Sequence, residues 1–161
     1  MTKTRVDGVR GGVAACAVSL LAACSAGDSP PPPAQPFTDP GYVDGGDHRL
    51  HYALTQTTDL PSEIAGSYGI VQRNNLALLT IALVARDGSL AETAGLEASA
   101  VSLTGLRRPL ALVRHDSATG PTWLAPVEIR DREAVTIEIR ARAPAAGPEI
   151  EARFTRAFHL E

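Results

Sequence analysis

From Tyr42 onward the sequence predicts an all-β fold, an immunoglobulin-like antiparallel β-sandwich of about seven strands with one short helix. Three observations carry this. Apolar and polar residues alternate with a period of two, most clearly where Val135, Ile137, Ile139 and Ala141 interleave with Thr136, Glu138, Arg140 and Arg142. Turn-forming residues return at intervals of about ten residues, the spacing of a sandwich. A helical period is sustained at only one place.

Taken in order, Arg49 to Leu54 places Leu50, Tyr52 and Leu54 on one face and Arg49 and His51 on the other. Pro61 suits a first helical position and Glu63 the positive end of the dipole. Ile64 and Tyr68 stand four apart, and Gly69 is placed to end a helix of one or two turns. Leu76 to Ala85, almost wholly Leu, Ile, Val and Ala, reads as a central strand buried on both sides or a strand with only Thr80 to satisfy, ended by Asp87-Gly88. Ser89 to Gly95 reads as a hairpin loop leading into a second strand, Leu96 to Leu103. Leu110 to Arg114 follows Arg107-Arg108-Pro109, whose proline suits a strand start or an edge. Thr122 to Ile129 aligns Trp123, Ala125, Val127 and Ile129, with Pro126 marking an edge or a bulge. After the strand beginning at Val135, Pro144 to Pro148 turns the chain. The last segment sets Ile150, Ala152, Phe154 and Phe158 against Glu151, Arg153, Thr155 and His159, with Arg156 interrupting the apolar face. Outward Glu138, Arg140, Glu151 and Arg153 are placed to pair across these final strands.

Residues 1–23 have the organisation of an export signal. Lys3, Arg5 and Arg10 precede an apolar run from Gly11 to Leu21, shorter than the roughly 20 residues that span a bilayer core. Leu21-Ala22-Ala23-Cys24 resembles the lipobox of bacterial lipoproteins. The resemblance implies that Cys24 is acylated and becomes the first mature residue, in place of cleavage at an ordinary small-residue site and free secretion. Ser25 implies, by the same resemblance, the periplasmic face of the outer membrane, because an Asp there usually retains a lipoprotein in the inner membrane. Residues 24–41 are then the lipidated cysteine and a proline-rich linker, a semi-rigid spacer rather than a ligand for proline-recognising domains. Residues 42–161 are the folded domain. Cys16 leaves with the signal and Cys24 carries lipid, so the domain has no disulfide and depends on its hydrophobic core.

Lys+Arg number 15 and Asp+Glu 18; without Lys3, Arg5, Arg10 and Asp7 the mature chain has 12 against 17, a net charge of −5. Nucleic acid is therefore not the expected partner. Every mature basic side chain apart from histidine is an arginine. Most follow Leu106, where interleaved acids make a salt-paired surface the expectation and an anion-binding arginine face the alternative.

His51-Tyr52, Leu60-Pro61, Glu63-Ile64-Ala65, Tyr68-Gly69-Ile70 and Arg73, followed by an apolar strand, resemble the pattern of the DUF4426 family. Trp123-Leu124-Ala125, Pro126-Val127, the Val135 to Arg140 strand and the closing Phe154 and Phe158 are similar too. The resemblance covers about Tyr42 to Leu160 and implies a small exported bacterial domain; it implies no activity. The chain departs from the pattern near Ala53 and around Gln72 and Asn74, where asparagine and a Ser-Lys pair are expected.

No G-x-S-x-G elbow, H-E-x-x-H helix, glycine-rich phosphate loop or mature cysteine nucleophile is present, so the chain is not expected to be an enzyme and no cofactor is implied. His48 and His51, three apart on a strand, point to opposite faces; His115 or His159 would have to join them for zinc or copper to bind. Asp44 and Asp47 around Gly45-Gly46 lack the length and the bidentate glutamate of a calcium loop. Ser62, Ser67 and Ser99 have no base partner. The expected binding patch is His51, Tyr52, Tyr68 and Arg73, where the family resemblance is densest and aromatic and arginine side chains coincide; packing of both tyrosines beneath the helix is the alternative. The functional expectation is a lipid-anchored binding or adaptor module for an envelope protein. A carrier of a small apolar or lipidic ligand, or less readily a metal-dependent enzyme, are the other readings.

Overall fold

The computed structural model describes residues 41–144 and 147–160; the expected signal, the lipidated cysteine and all of the linker but Gly41 lie outside them. Ten strands and one α-helix follow in order: β1 Tyr42–Gly45, β2 His48–Gln56, α1 Ser62–Ser67, β3 Leu76–Ala85, β4 Leu90–Ala91, β5 Gly95–Val101, β6 Arg107–Pro109, β7 Val113–Ser117, β8 Gly120–Glu128, β9 Ala134–Arg142 and β10 Glu149–Ala157. Seven of these have five residues or more, and β1, β4 and β6 are short additions. They form two antiparallel sheets. The larger runs β1-β2-β3-β8-β7 with β4 also against β3, and the smaller runs β10-β9-β5-β6. The protein is an all-β sandwich.

The period of two explains the layering. Leu50, Tyr52 and Leu54 of β2, Ala77, Leu79, Ile81 and Leu83 of β3, and Trp123, Ala125 and Val127 of β8 all face inward and are buried. They meet Ala98 of β5, Ile137, Ile139 and Ala141 of β9, and Ile150, Ala152 and Phe154 of β10 in one core. Each fully buried Leu or Ile contributes about 1.5–3 kcal/mol relative to exposure, so this core holds a domain without disulfides. Tyr52 stacks on Phe154 across the two sheets, ring centroids 4.6 Å apart.

The β3 strand occupies the predicted Leu76–Ala85 and lies between β2 and β8. Its inner face is buried from Ala77 to Leu83, but the expected burial on both sides is not met: on the outer face only Leu78 is buried, and Leu76, Thr80, Ala82 and Val84 are half-buried. The β8 strand lies between β3 and β7, not at the edge that Pro126 suggested; Pro126 is tolerated because it pairs with Leu78 of β3 while the β7 register ends at Val113 opposite Leu124, leaving its other side unpaired.

Two strand assignments are overturned, both at places where the chain changes sheet. Ser89 to Gly95 is not a hairpin loop between neighbouring strands. The β3 strand turns tightly into β4, which lies beside β3 beyond the last β8 pair, and β5 belongs to the other sheet. Asp87 caps this turn, accepting from the Ser89 N–H at 2.9 Å and its hydroxyl at 2.6 Å; these bonds hold the Asp87 carboxyl below its usual pKa. Likewise Leu110 to Arg114 is not one strand. Pro109 ends β6, Leu110 and Leu112 pack against the core as the chain crosses over, and β7 begins at Val113 in the larger sheet.

The helix begins one residue later than expected. Pro61 is extended, at ψ 138°, and Ser62 opens the first turn. Its end is a complete Schellman motif at Gly69, whose φ of 66° suits glycine: Ile70 N–H bonds Ala65 C=O at 2.8 Å and Gly69 N–H bonds Gly66 C=O at 3.0 Å. No helix among the described residues is long and apolar enough to cross a membrane.

Candidate functional site

Strand alternation decides what the expected patch can do. His51 and Tyr52 are adjacent on β2, so Tyr52 enters the core, 7% exposed, while His51 points outward. Tyr52 is therefore a packing residue, and the patch of His51, Tyr52, Tyr68 and Arg73 does not form as one surface. His51 instead joins Tyr42, its register partner on β1, with ring centroids 5.7 Å apart.

Arg49 completes this group from the same outer face. Its guanidinium carbon lies 4.2 Å from the centre of the Tyr42 ring, its Nε donates to Asp44 Oδ1 at 2.6 Å, and its Nη2 donates to Oδ2 at 3.3 Å. The bidentate bond fixes a side chain that would otherwise sample many rotamers. It also holds the Asp44 carboxyl below the usual carboxylate range and pushes the Arg49 guanidinium up. An open groove of about 350 Å³ runs alongside, bordered by Asp44, Asp47, His48, Arg49, His51 and Arg86. Asp47 pairs with Arg86 at 2.8 Å, so the acids in the groove each have an arginine. His48, at the first position of β2, borders the same groove as His51 despite the odd spacing. No group of three His, Cys, Asp or Glu able to hold a metal gathers among the described residues.

Tyr68 lies at the C-terminal end of α1 and meets the ring of His115 on β7 edge-on at 4.9 Å. It is a contact of the larger sheet's far edge, separate from the β1–β2 group. Arg73 matters through its backbone. The hydroxyl of the wholly buried Thr57 accepts from Arg73 N–H at 2.9 Å and donates to Arg73 C=O at 2.8 Å. Gln72 Nε2 donates to the carbonyls of Thr57 and Leu60, and Gln56 Nε2 to that of Asn74. Thus the segment around Gln72 and Asn74 fastens the α1–β3 connection to the end of β2. Tyr42 and Thr57 escaped the sequence reading, and Arg49 and Gln72, though noticed there, were not counted in the expected patch. Alternation from His51 back to Arg49 was a usable signal, whereas the Thr57 bonds span sixteen residues of sequence and had none.

The outer face of the smaller sheet is different in kind. Arg140 bonds Glu151 at 2.9 Å, and Glu138 sits between Arg107 at 2.6 Å and Arg153 at 3.7 Å. The cross-strand pairing expected from the sequence is present. An open groove of about 670 Å³ follows the β5–β6 edge, where Leu96, Leu110 and Leu112 share the lining with Glu97, Ser99 and Arg140.

A sandwich of this topology defines an all-β domain whose candidate surface lies on one sheet face. The chain belongs to the DUF4426 family, described as a domain of unknown function, which matches residues 43–161. It is similar to the crystal structure of a DUF4426 family protein, PA0388 of Pseudomonas aeruginosa PAO1. Identity there is 22% and the TM-score 0.63, with 74% of this chain and 94% of that chain covered. Two FetP structures from uropathogenic Escherichia coli strain F11 are more distant, each with a TM-score of 0.49. The copper-bound variant is 13% identical over 71% of this chain and 92% of that one; the as-isolated protein is 12% identical over 72% and 92%. No curated protein matches the chain significantly.

Proposed function

We propose that this protein is a non-enzymatic binding module of the bacterial envelope, anchored by lipid at Cys24, which presents the outer face of β1 and β2 to an envelope protein. The observation that carries the reading is the Tyr42–Arg49–Asp44 group beside His51. An arginine held by a bidentate bond and laid over a tyrosine ring loses little further freedom on binding, and arginine and tyrosine are the side chains that dominate binding hot spots. The paired charges around the groove favour a partner of mixed polarity over a simple anion. Export and acylation rest on the lipobox-like residues at Leu21 to Cys24, and placement at the outer membrane on Ser25.

Photoreactive residues placed singly at Tyr42, His51 and Tyr68 in living cells, with Glu138 as control, test the binding arm. One envelope protein trapped at Tyr42 and His51 and missing at Glu138 is the expected result; equal trapping at Glu138, or none at any site, overturns it. Incorporation of a labelled fatty acid that disappears in Cys24→Ser tests the anchor.

A further inference from the structure

The most exposed large apolar side chains gather at one end of the sandwich. Leu103 is 79% exposed and Leu106 67% exposed, both in the β5–β6 loop, and Val71 is 68% exposed in the α1–β3 connection. Gln72, next to Val71, is bonded to Thr57 at the end of β2, and the β5–β6 loop borders Glu128, the residue that ends β8 opposite the start of β3. Both therefore lie at the end of the sheets where β2 finishes and β3 begins.

The loop is built to hold its leucines out. Ser102 N–H bonds Leu106 C=O at 3.0 Å, Gly105 N–H bonds Ser102 C=O at 2.9 Å, and Leu106 N–H donates to the Ser102 hydroxyl at 3.1 Å. Gly105 at φ 81° supplies the turn that these bonds require. A turn closed by its own hydrogen bonds has no freedom to fold Leu103 back onto the core. Arg107 and Arg108 follow at once, and no acidic residue occurs between Glu97 and Asp116. Arg107 is paired with Glu138, while Arg108 has no ion pair among the described residues.

The first described residue, Gly41, lies beside Tyr52 in the middle of β2. Gly41 C=O accepts from Tyr52 N–H at 2.9 Å, and β1 then runs antiparallel to β2, toward His48 and away from Gln56. We infer that this end of the domain is its membrane-facing end, and that the β5–β6 loop docks on an anionic phospholipid surface by inserting Leu103 and Leu106 with Arg108 at the headgroups. Leucines at the tip and, at the shoulder, an arginine with no ion pair among the described residues match the layering of a bilayer interface, apolar beneath anionic. The inference rests on the lipid anchor at Cys24. A chain already tethered to the bilayer docks as an intramolecular event at high effective concentration, so a contact too weak to recruit a free protein suffices.

The test uses the acylated protein in vesicles of phosphatidylethanolamine and phosphatidylglycerol. With Cys16 removed and Cys24 acylated, Leu103→Cys supplies the one free thiol for a polarity-sensitive fluorophore, and Asp87→Cys, in the β3–β4 turn at the opposite end, supplies the control. The expected result is a blue-shifted emission quenched by lipid-borne quenchers at position 103 and a water-like, unquenched signal at position 87. Adding Arg108→Ala lowers the docked-to-undocked ratio roughly fivefold. Water-like emission at position 103, or equal quenching at both positions, overturns the inference. Leu106→Cys repeats the measurement should labelling at 103 disturb the loop. If mass analysis finds no fatty acid on Cys24, the anchor reading fails by itself. The loop is then judged by quenching of the labelled Leu103→Cys protein carrying Cys24→Ser, at saturating vesicle concentration, where water-like emission at 103 again overturns it.

Discussion

The two outer faces of this sandwich use the same side chains to opposite ends. On the smaller sheet, Arg140, Glu151, Glu138, Arg107 and Arg153 form a ladder in which every acid named has an arginine across the strand. Such a surface offers a partner only interactions it must first break. On the larger sheet, Arg49 is paired too, yet its guanidinium also covers an aromatic ring and stands beside an imidazole. A contact there adds to the arrangement without dismantling it. Arginine content alone says nothing about binding; the neighbours of each arginine decide it.

Changes at the shared core set the upper end of what can be broken. Phe154→Ala removes the ring stacked on Tyr52 between the sheets and should cost about 3–5 kcal/mol in denaturant unfolding, weakening both faces together. A local change ranks next. Thr57→Val strands the Arg73 backbone groups, costs about 1–3 kcal/mol, and should accelerate amide exchange over residues 68–75, whereas Thr57→Ser retains the bonds. Equal exchange in both variants would show that the connection is held by packing. On the ladder, Arg140→Ala should change stability by no more than about 0.5 kcal/mol, because the pair with Glu151 is half exposed and screened.

Acid separates the faces most gently. The folded-state pKa of Asp44 is depressed by Arg49, so its contribution is present above the ordinary carboxylate value of about 3.9 and is lost as pH falls through the lower, folded value. The Arg49–Tyr42 geometry, followed by ring-current shifts of the Arg49 side-chain protons in nuclear magnetic resonance, should therefore persist at pH 5 and relax only below about pH 4. Relaxation near neutrality would mean that Asp44 does not hold the arginine.

How much of this was legible in the sequence follows from the range of each interaction. The β9 alternation and the β10 apolar face are local, and both read correctly down to the Arg140–Glu151 pair. The β3 strand was legible because ten nearly uninterrupted apolar residues are rare outside a central strand. Sheet changes at Ala91 to Gly95 and at Leu110 to Leu112 were not, since membership of a sheet is settled by partners far along the chain. The candidate site was half legible. His51 was found, but Tyr52 was grouped with it although their adjacency places them on opposite faces, and the α1 signal drew attention to Tyr68, whose contact is His115.

The asymmetry between the faces is measured most directly by photocrosslinking from His51 in cells carrying either Arg49→Ala or Arg140→Ala. Both arginines are exposed and each bonds one carboxylate, so the two variants disturb the fold to a similar small degree. A partner adduct that falls several-fold with Arg49→Ala and is unchanged with Arg140→Ala is the predicted result. An adduct reduced equally by both, or by neither, would contradict the assignment of binding to the β1–β2 face.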